Sequence, residues 1–427
     1  MDPVTVPSNQ FIHADISLQA PVGAEVNFQR ALLISDEHDV YLHLSAYDLP
    51  YLKIESVDQV KEIPGNHPST NASVAAYLGQ SPTPPFLWLT AANRTKDTAG
   101  DPAEYYWDAI NRLQSNLDFY HILYTGDQPS FVSRDEALAT CMYIEKIAFS
   151  YTDKGGNPIA VYPTEKDLIN HLQCGHPDNL TPNDTPDNFS LFISENQLGK
   201  FTRTQVYYPD SPTDPSTQYY TNKLSSAVVS KLCSGGNNLK APGTLATNNI
   251  TNLIGVHTVG GSSFISPGYT SPTFSQMLQA SGGSNNLLFY AKTSTPNADI
   301  TYGTGSSATN YVQVPYRYLD QTIALDWLKV DLVEKYMQMV VQVGKPPYTT
   351  DGFHLIGNII EHTLEEGKEL GILNPDFNKS NGEYVRVPLA SEATDTQRQT
   401  RETPPITFLT QLANSINKVF IVGNVKQ

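Results

Sequence analysis

A chain of 427 residues exceeds what one small hydrophobic core can organise and implies two or three domains. Apolar content of 39% and charged content of 16%, with 24 Tyr, 27 Gly and 30 Pro, fit a loop-rich, β-containing particle protein better than a compact enzyme. A net charge of -16 argues against nucleic-acid binding through phosphates, which needs clustered Lys and Arg.

Residues 1–20 lack helical periodicity, yet Phe11 to Leu18 alternates in the manner of a strand, with Ile12, Ile16 and Leu18 as its apolar members, and is read as an extended arm. From Phe28 the pattern becomes strand and helix in alternation. Ala31 to Ile34 is a short apolar strand, Ser56 and Gln59 form a helix-opening capping box, Asn71 to Gly79 is a small helix, and Phe86 to Leu89 is a buried strand. Asp101-Pro-Ala-Glu104 reads as the opening of the next helix, with a cap, a first-turn proline and an acidic third position. Phe119 to Tyr124 follows as strand, and Ser133-Arg-Asp-Glu136 as a capping box leading a helix to Ile147. Ile159 to Val161 is extended, Thr164 to Leu172 helical, and Ser190 to Ile193 and Thr204 to Tyr208 extended. Alternation at this interval predicts an α/β layer with a mostly parallel sheet across 21–310, so the fold class is α/β (α+β overall).

The stretch 209–310 is rich in Ser, Thr, Asn, Gly and Pro, with one helix expected from about Thr217 to Lys231 and strands at Leu287 to Tyr290 and Tyr311 to Val314. A third unit, 311–427, holds the clearest helical patterns. Asp320 to Val343 places bulky residues every three or four positions until Gly344 and Pro346 stop it. A second helix is expected from Gly352 to Leu370, capped by Asp351, striped by Phe353, Ile356, Ile360 and Leu364, and closed by a left-handed Gly371. Ile406 to Leu412 and Lys418 to Val425 read as strands. In the latter, Val419, Ile421 and Val425 face one way and Phe420 and Val422 the other, which leaves little for water and calls for a pairing partner.

Motifs for chemistry are sparse. Cys141, Cys174 and Cys233 are odd in number and lack CxxC spacing, which points to reduced thiols and synthesis in a cytoplasm. No basic, apolar leader and no run of about 18 apolar residues is present, so neither a signal peptide nor membrane insertion is expected. His354 and His362 share a helix but sit two turns apart, roughly 12 Å, too far to share a metal. No GxSxG elbow and no phosphate loop occurs, so no enzyme, cofactor or metal is expected. Glu361, Glu365, Glu366 and Glu369 gather on the polar side of the second helix, as a solvated face or as a surface for a basic partner. Arg398 and Arg401, three apart, could clamp carboxylates within the subunit or across a contact.

Trp327 on a helix, the turn Lys345-Pro-Pro-Tyr-Thr-Thr-Asp351-Gly352, Arg398-x-x-Arg401 before Pro-Pro-Ile, and Ala413-x-x-Ile416 before a final strand together resemble the carboxyl-terminal module of contractile phage tail sheath proteins. Ile16-Ser-Leu-x-Ala20, Ala75-Ala-Tyr77-Leu-Gly-Gln80-Ser81-Pro82, Tyr207-Tyr-Pro-Asp210, Asn286-x-x-x-Tyr290 and Asp326-Trp327 are similar to further landmarks in the same order; the region 235–310 fits loosely. The resemblance implies a multi-domain sheath-like fold, assembled in a host cytoplasm and resident in a virion. It implies hexameric rings stacked around a tail tube, which contract to drive the tube through a host envelope, with baseplate and tail terminator proteins as further partners. It also implies strand exchange between subunits through the arm at Ile12, Ile16 and Leu18 and the strand at Val419 to Val425. A receptor-binding or decorating virion protein, suggested by the Tyr, Asn and Ser content, is the alternative.

Overall fold

The computed structural model describes residues 27–80, 82–96, 100–125, 134–153, 155–173, 203–207, 224–234, 287–292, 299–303, 319–344 and 346–413. Among them eight strands form one sheet: β1 (Ala31–Ser35), β2 (Leu52–Ile54), β3 (Leu87–Ala91), β4 (His121–Tyr124), β7 (Ile169–Gln173), β8 (Thr204–Tyr207), β9 (Leu287–Lys292) and β10 (Asp299–Gly303). Their order is β10-β9-β8-β7-β4-β1-β3-β2. The six inner strands run parallel, and β2 and β10 close the edges antiparallel. A hairpin, β5 (Phe149–Thr152) with β6 (Pro158–Val161), stands apart from this sheet.

A parallel sheet must be covered on both faces, and β1 shows how the sequence arranges it. Ala31 and Leu33 enter one core and Leu32 and Ile34 the other, all at 1% exposure or less. The first core is filled from α1 (His38–Ala46), α2 (Val57–Lys61), α3 (Pro68–Leu78) and α6 (Leu224–Cys233), joined by α7 (Leu319–Val343) and α8 (Thr350–Glu369). The second is filled from α4 (Tyr106–Gln114), α5 (Arg134–Ile144) and the β5–β6 hairpin, with Trp107 stacked on Tyr105 and edge-on to Tyr151. The first core draws residues from Phe28 to Leu373 and so from both sides of position 311.

The mixed α/β architecture with a mainly parallel sheet agrees with the expectation from sequence. The capping box at Ser56 forms as read, with the Gln59 side chain accepting the Ser56 N–H at 3.1 Å. Three elements differ. Thr164 to Leu172 is not a helix, since Ile169–Gln173 is the central strand β7 between β4 and β8. Leu168, Ile169 and Leu172 do recur at helical spacing, but Ile169 fills one core and Leu168 and Leu172 the other. The polar Asn170 and His171 between them, fully buried, find partners across strands and on α5: Asn170 N–H donates to the Arg203 carbonyl at 2.7 Å, its side-chain amide to Cys141 Sγ at 3.8 Å, and His171 bonds His121.

Helix α4 starts at Tyr106, not near Asp101. Asp108 caps it by accepting the Tyr105 N–H at 3.1 Å, and Asp101 instead accepts the Tyr105 hydroxyl at 3.0 Å. Helix α8 is capped by Thr349, whose hydroxyl accepts the Gly352 N–H at 3.2 Å, so Asp351 lies in the first turn and is not the cap. Ser133, Ser190 to Ile193, Thr217 and Tyr311 to Val314 lie outside the described residues, as do the arm and the strand at Lys418 to Val425.

Candidate assembly surface

The segment from α7 to residue 413 builds a surface unit on the first core. Its entry turn is fixed by stereochemistry. Gly344 takes a φ of 77°, which a side chain would resist, and a Cβ on Gly352 would lie 1.9 Å from the Pro347 carbonyl oxygen. Helix α8 then buries Phe353, Gly357, Ile360, Leu364 and Gly367 at intervals of three and four, with Thr363 beside them. Gly357 and Gly367 on that face let Val387 and Leu373 approach closer than a Cβ would allow, and Trp327 packs tightly at Gly367 as well. Gly371, at φ 71°, ends the helix in the left-handed conformation expected from sequence, its N–H donating to the Lys368 carbonyl at 3.0 Å.

Ion pairs fasten α8 to its neighbours. Lys335 on α7 bridges Asp331 at 2.6 Å and Glu366 at 2.5 Å, and the Thr363 hydroxyl donates to Asp331 at 2.7 Å. Lys368 reaches Glu383 at 2.6 Å and Glu365 at 3.4 Å; burial works against its charge, but the two carboxylates outweigh this and raise its pKa. The carboxylates of the sequence-predicted acidic face are therefore partly spoken for inside the subunit. Glu361 pairs with Lys379 at 2.8 Å, Glu365 with Lys368, and Glu366 with α7, while Glu369 is exposed. In the Glu361–Lys379 pair Lys379 is exposed and the Glu361 side chain half-exposed, so its energy is small.

Arg398 and Arg401 fall on and just after a short helix, α9 (Asp395–Thr400), whose Thr394 cap accepts the Gln397 N–H at 3.2 Å. Arg398 donates to the carbonyls of Ala390, Ala393 and Ser391 at 3.0, 3.2 and 3.4 Å, a use of the guanidinium that the carboxylate reading did not foresee. Arg401 is exposed at φ 61°, and among the described residues no carboxylate is paired with either arginine. His354 and His362 are both exposed on α8, and among the described residues no group of three or more metal-ligating side chains occurs.

Between these elements lies a two-stranded antiparallel ribbon, β11 (Tyr384–Arg386) with β12 (Thr407–Leu409), in the register Tyr384↔Leu409, Val385↔Phe408, Arg386↔Thr407. Val385 and Phe408 pack on the core, while Tyr384 and Leu409, opposite each other, are 47% exposed. Each strand of such a ribbon has one partner and therefore one open edge among the described residues. Two strands alone are marginal in water, and an open edge is a template for another strand. The ribbon continues into an antiparallel bridge, Leu373↔Leu412, that leads the chain toward residue 414. Sequence reading found β12 but missed β11; the alternation Tyr384-Val-Arg-Val387, bounded by Gly382 and Pro388, is the signal that marks it. Ile12, Ile16, Leu18, Val419, Phe420, Ile421, Val422 and Val425 lie outside the described residues.

No family model and no curated protein matches the chain. Two solved structures share its fold over nearly the whole length. One is in the cryo-EM structure of the anti-feeding prophage (AFP) baseplate, with TM-score 0.55, 13% identity, and 97% of each chain covered. The other is in the PVC sheath complex of an extracellular contractile injection system in the contracted state, with TM-score 0.54, 13% identity, and 97% of this chain and 96% of that chain covered. The chain thus has the mixed α/β fold of contractile injection system components.

Proposed function

We propose that the chain is a structural subunit of a contractile injection apparatus, and more narrowly a tail sheath protein. It polymerises as stacked hexameric rings around a tail tube and contracts to drive the tube through a host cell envelope. The observation that carries this reading is the fold likeness over 97% of the chain to a sheath complex. The open β11–β12 ribbon supports the mode of assembly. Strands from neighbouring copies, the arm around Ile12, Ile16 and Leu18 and the segment Val419 to Val425, would extend it by backbone hydrogen bonds. Such a contact is head-to-tail and need not close, so it propagates. The work of contraction then comes from exchanging one set of subunit contacts for another, with no bond made or hydrolysed, and tail tube, baseplate and terminator proteins are the partners. Assembly takes place in the host cytoplasm and the product resides in the virion. Glu369 and the remaining acidic face of α8 are candidates for contact with the tube.

A baseplate component of the same fold is the second reading, favoured by the equal likeness to the anti-feeding prophage baseplate. Negative-stain microscopy of the purified protein separates the two. A sheath subunit forms striated hollow cylinders, whereas a baseplate subunit forms single rings or wedges. Removal of Lys418 to Gln427 is expected to leave a folded subunit that does not polymerise; full-length cylinders from that truncation would sink the strand-exchange mechanism.

A further inference from the structure

At the amino ends of three adjacent parallel strands lies a buried ionic cluster that none of the preceding chemistry uses. Tyr120 immediately precedes β4, Asp167 stands two residues before β7, and Arg203 immediately precedes β8. Facing them, one turn apart on α7, are Asp326 and Lys329. The Arg203 guanidinium grips Asp326 with two bonds of 2.7 and 2.6 Å and lies 3.4 Å from Asp167. The Tyr120 hydroxyl donates to Asp326 at 2.7 Å. Asp167 also binds Lys329 at 2.8 Å and Lys146, which follows α5, at 2.7 Å. The Glu145 carboxylate accepts the Arg203 N–H. Every charged side chain here except those of Glu145 and Lys146 is 3% exposed or less.

Packed apolar residues of similar volume would hold α7 to the sheet at least as tightly, because desolvating several charges costs about as much as their attraction returns. What an apolar seam lacks is direction. Leu and Val side chains can slide past one another, whereas a displacement of α7 by one residue breaks the Arg203–Asp326 and Lys329–Asp167 pairs and the Tyr120–Asp326 bond together. Asp326 and Lys329 carry opposite signs and meet opposite signs, so a slide of α7 by three residues, about 4.5 Å, brings Lys329 to the place of Asp326 and sets it against Arg203. The neighbouring apolar contacts of Ile323, Ala324, Trp327 and Leu328 supply adhesion without that constraint.

We propose that this cluster is the joint that sets the orientation of α7, and with it α8 and the β11–β12 ribbon, relative to the sheet, so that load applied to the ribbon is passed to the α/β layer without slip. Asp326, Lys329, Asp167 and Arg203 are thus positioning residues. The proposal concerns a single subunit and does not depend on which assembly it enters.

The test measures orientation separately from stability. Spin labels are placed on the full chain at Ser45→Cys on α1 and Asn358→Cys on α8, both exposed, in a Cys174→Ser background; Cys141 and Cys233 are buried free thiols. Pulsed dipolar spectroscopy on the otherwise wild-type chain is expected to give one narrow distance. Asp326→Asn, and independently the apolar pair Arg203→Met with Asp326→Leu, are expected to broaden that distribution about twofold while amide exchange in β1 and β4 stays protected. The apolar pair keeps the experiment decisive if the single variant fails to fold. A distribution as narrow as wild type in the apolar pair overturns the proposal. Loss of sheet protection in that pair overturns it too, because the cluster then serves global stability alone.

Discussion

Gly352 shows at one position why the entry to α8 tolerates so little change. A methyl group there meets a backbone carbonyl, which cannot rotate away, whereas one on Gly367 meets the ends of Leu373 and Trp327. Gly352→Ala is therefore expected to destabilise the chain by about 3 kcal/mol, and Gly367→Ala by about 1–2 kcal/mol, read from the midpoint of urea unfolding at constant slope. The acid response is set by other buried residues. His121 Nδ1 lies 2.9 Å from His171 Nε2, and His121 Nε2 lies 3.1 Å from the Phe28 carbonyl. This places the proton of His121 on Nε2 and makes His171 Nε2–H the donor between the rings, both neutral. Burial lowers both pKa values, that of His121 from 6.5 to about 3. Because the unfolded chain takes up protons that the folded one refuses, stability is full above about 6.5 and falls as pH drops from there toward 3, by about 1.4 kcal/mol per pH unit for His121, with His171 acting in the same direction. Asp167 acts lower down. Burial raises its pKa, but Arg203, Lys146 and Lys329 outweigh this and hold it at about 2, so its contribution, present above 3.8, is lost as pH falls through 2. Urea titrations between pH 8 and 4 are expected to show the histidine slope, and His171→Gln is expected to flatten it; an unchanged slope would remove these two rings from the account.

At the scale of elements, the ribbon separates folding from assembly. Leu409 is half-exposed, so Leu409→Lys is expected to change subunit stability by no more than about 0.5 kcal/mol. If the outward face of β12 meets a neighbouring copy, the same change raises the concentration needed for cylinder formation on the order of tenfold, as a loss of about 1.4 kcal/mol per contact would. Sedimentation of the assembled fraction across a concentration series measures it. This scale also shows where sequence was readable. The long period of α7, the Gly371 stop of α8 and the Ser56 box are local signals, and they formed as read. Strand β7 was not readable, because the spacing of Leu168, Ile169 and Leu172 suits either element and only burial between two strands decides it. The acidic face of α8 was legible as a pattern, but that Lys335 and Lys368 would claim Glu366 and Glu365 depends on packing no spacing reveals.

For the whole molecule, strand and helix alternation gave the layer but not the strand order, in which β1 sits between β4 and β3 with chain on both sides still to come. The ionic cluster was equally hidden, since Asp167, Arg203 and Asp326 are far apart in sequence and meet only once the sheet is built. The burial of the ionic cluster also carries a prediction about salt. Exposed pairs such as Lys379–Glu361 are screened while the cluster is not, so raising ionic strength from 0.1 to 1 M, where the Debye length falls from about 10 to 3 Å, is expected to leave subunit unfolding nearly unchanged. A fall in unfolding midpoint of more than about 1 kcal/mol equivalent would contradict it.

Helix α7 is buried through Val330 and only half-covered or exposed beyond it. It is in effect a cantilever, with its root held against the sheet and about 20 Å of shaft beyond, braced by α8 through Asp331 and Lys335. A tilt of about 10° at the root swings the tip by some 3–4 Å, close to the rise of one residue along a strand. Small angular play at the root would therefore shift strand register at the periphery, which is why stiffness there governs whether neighbouring copies can stay in step.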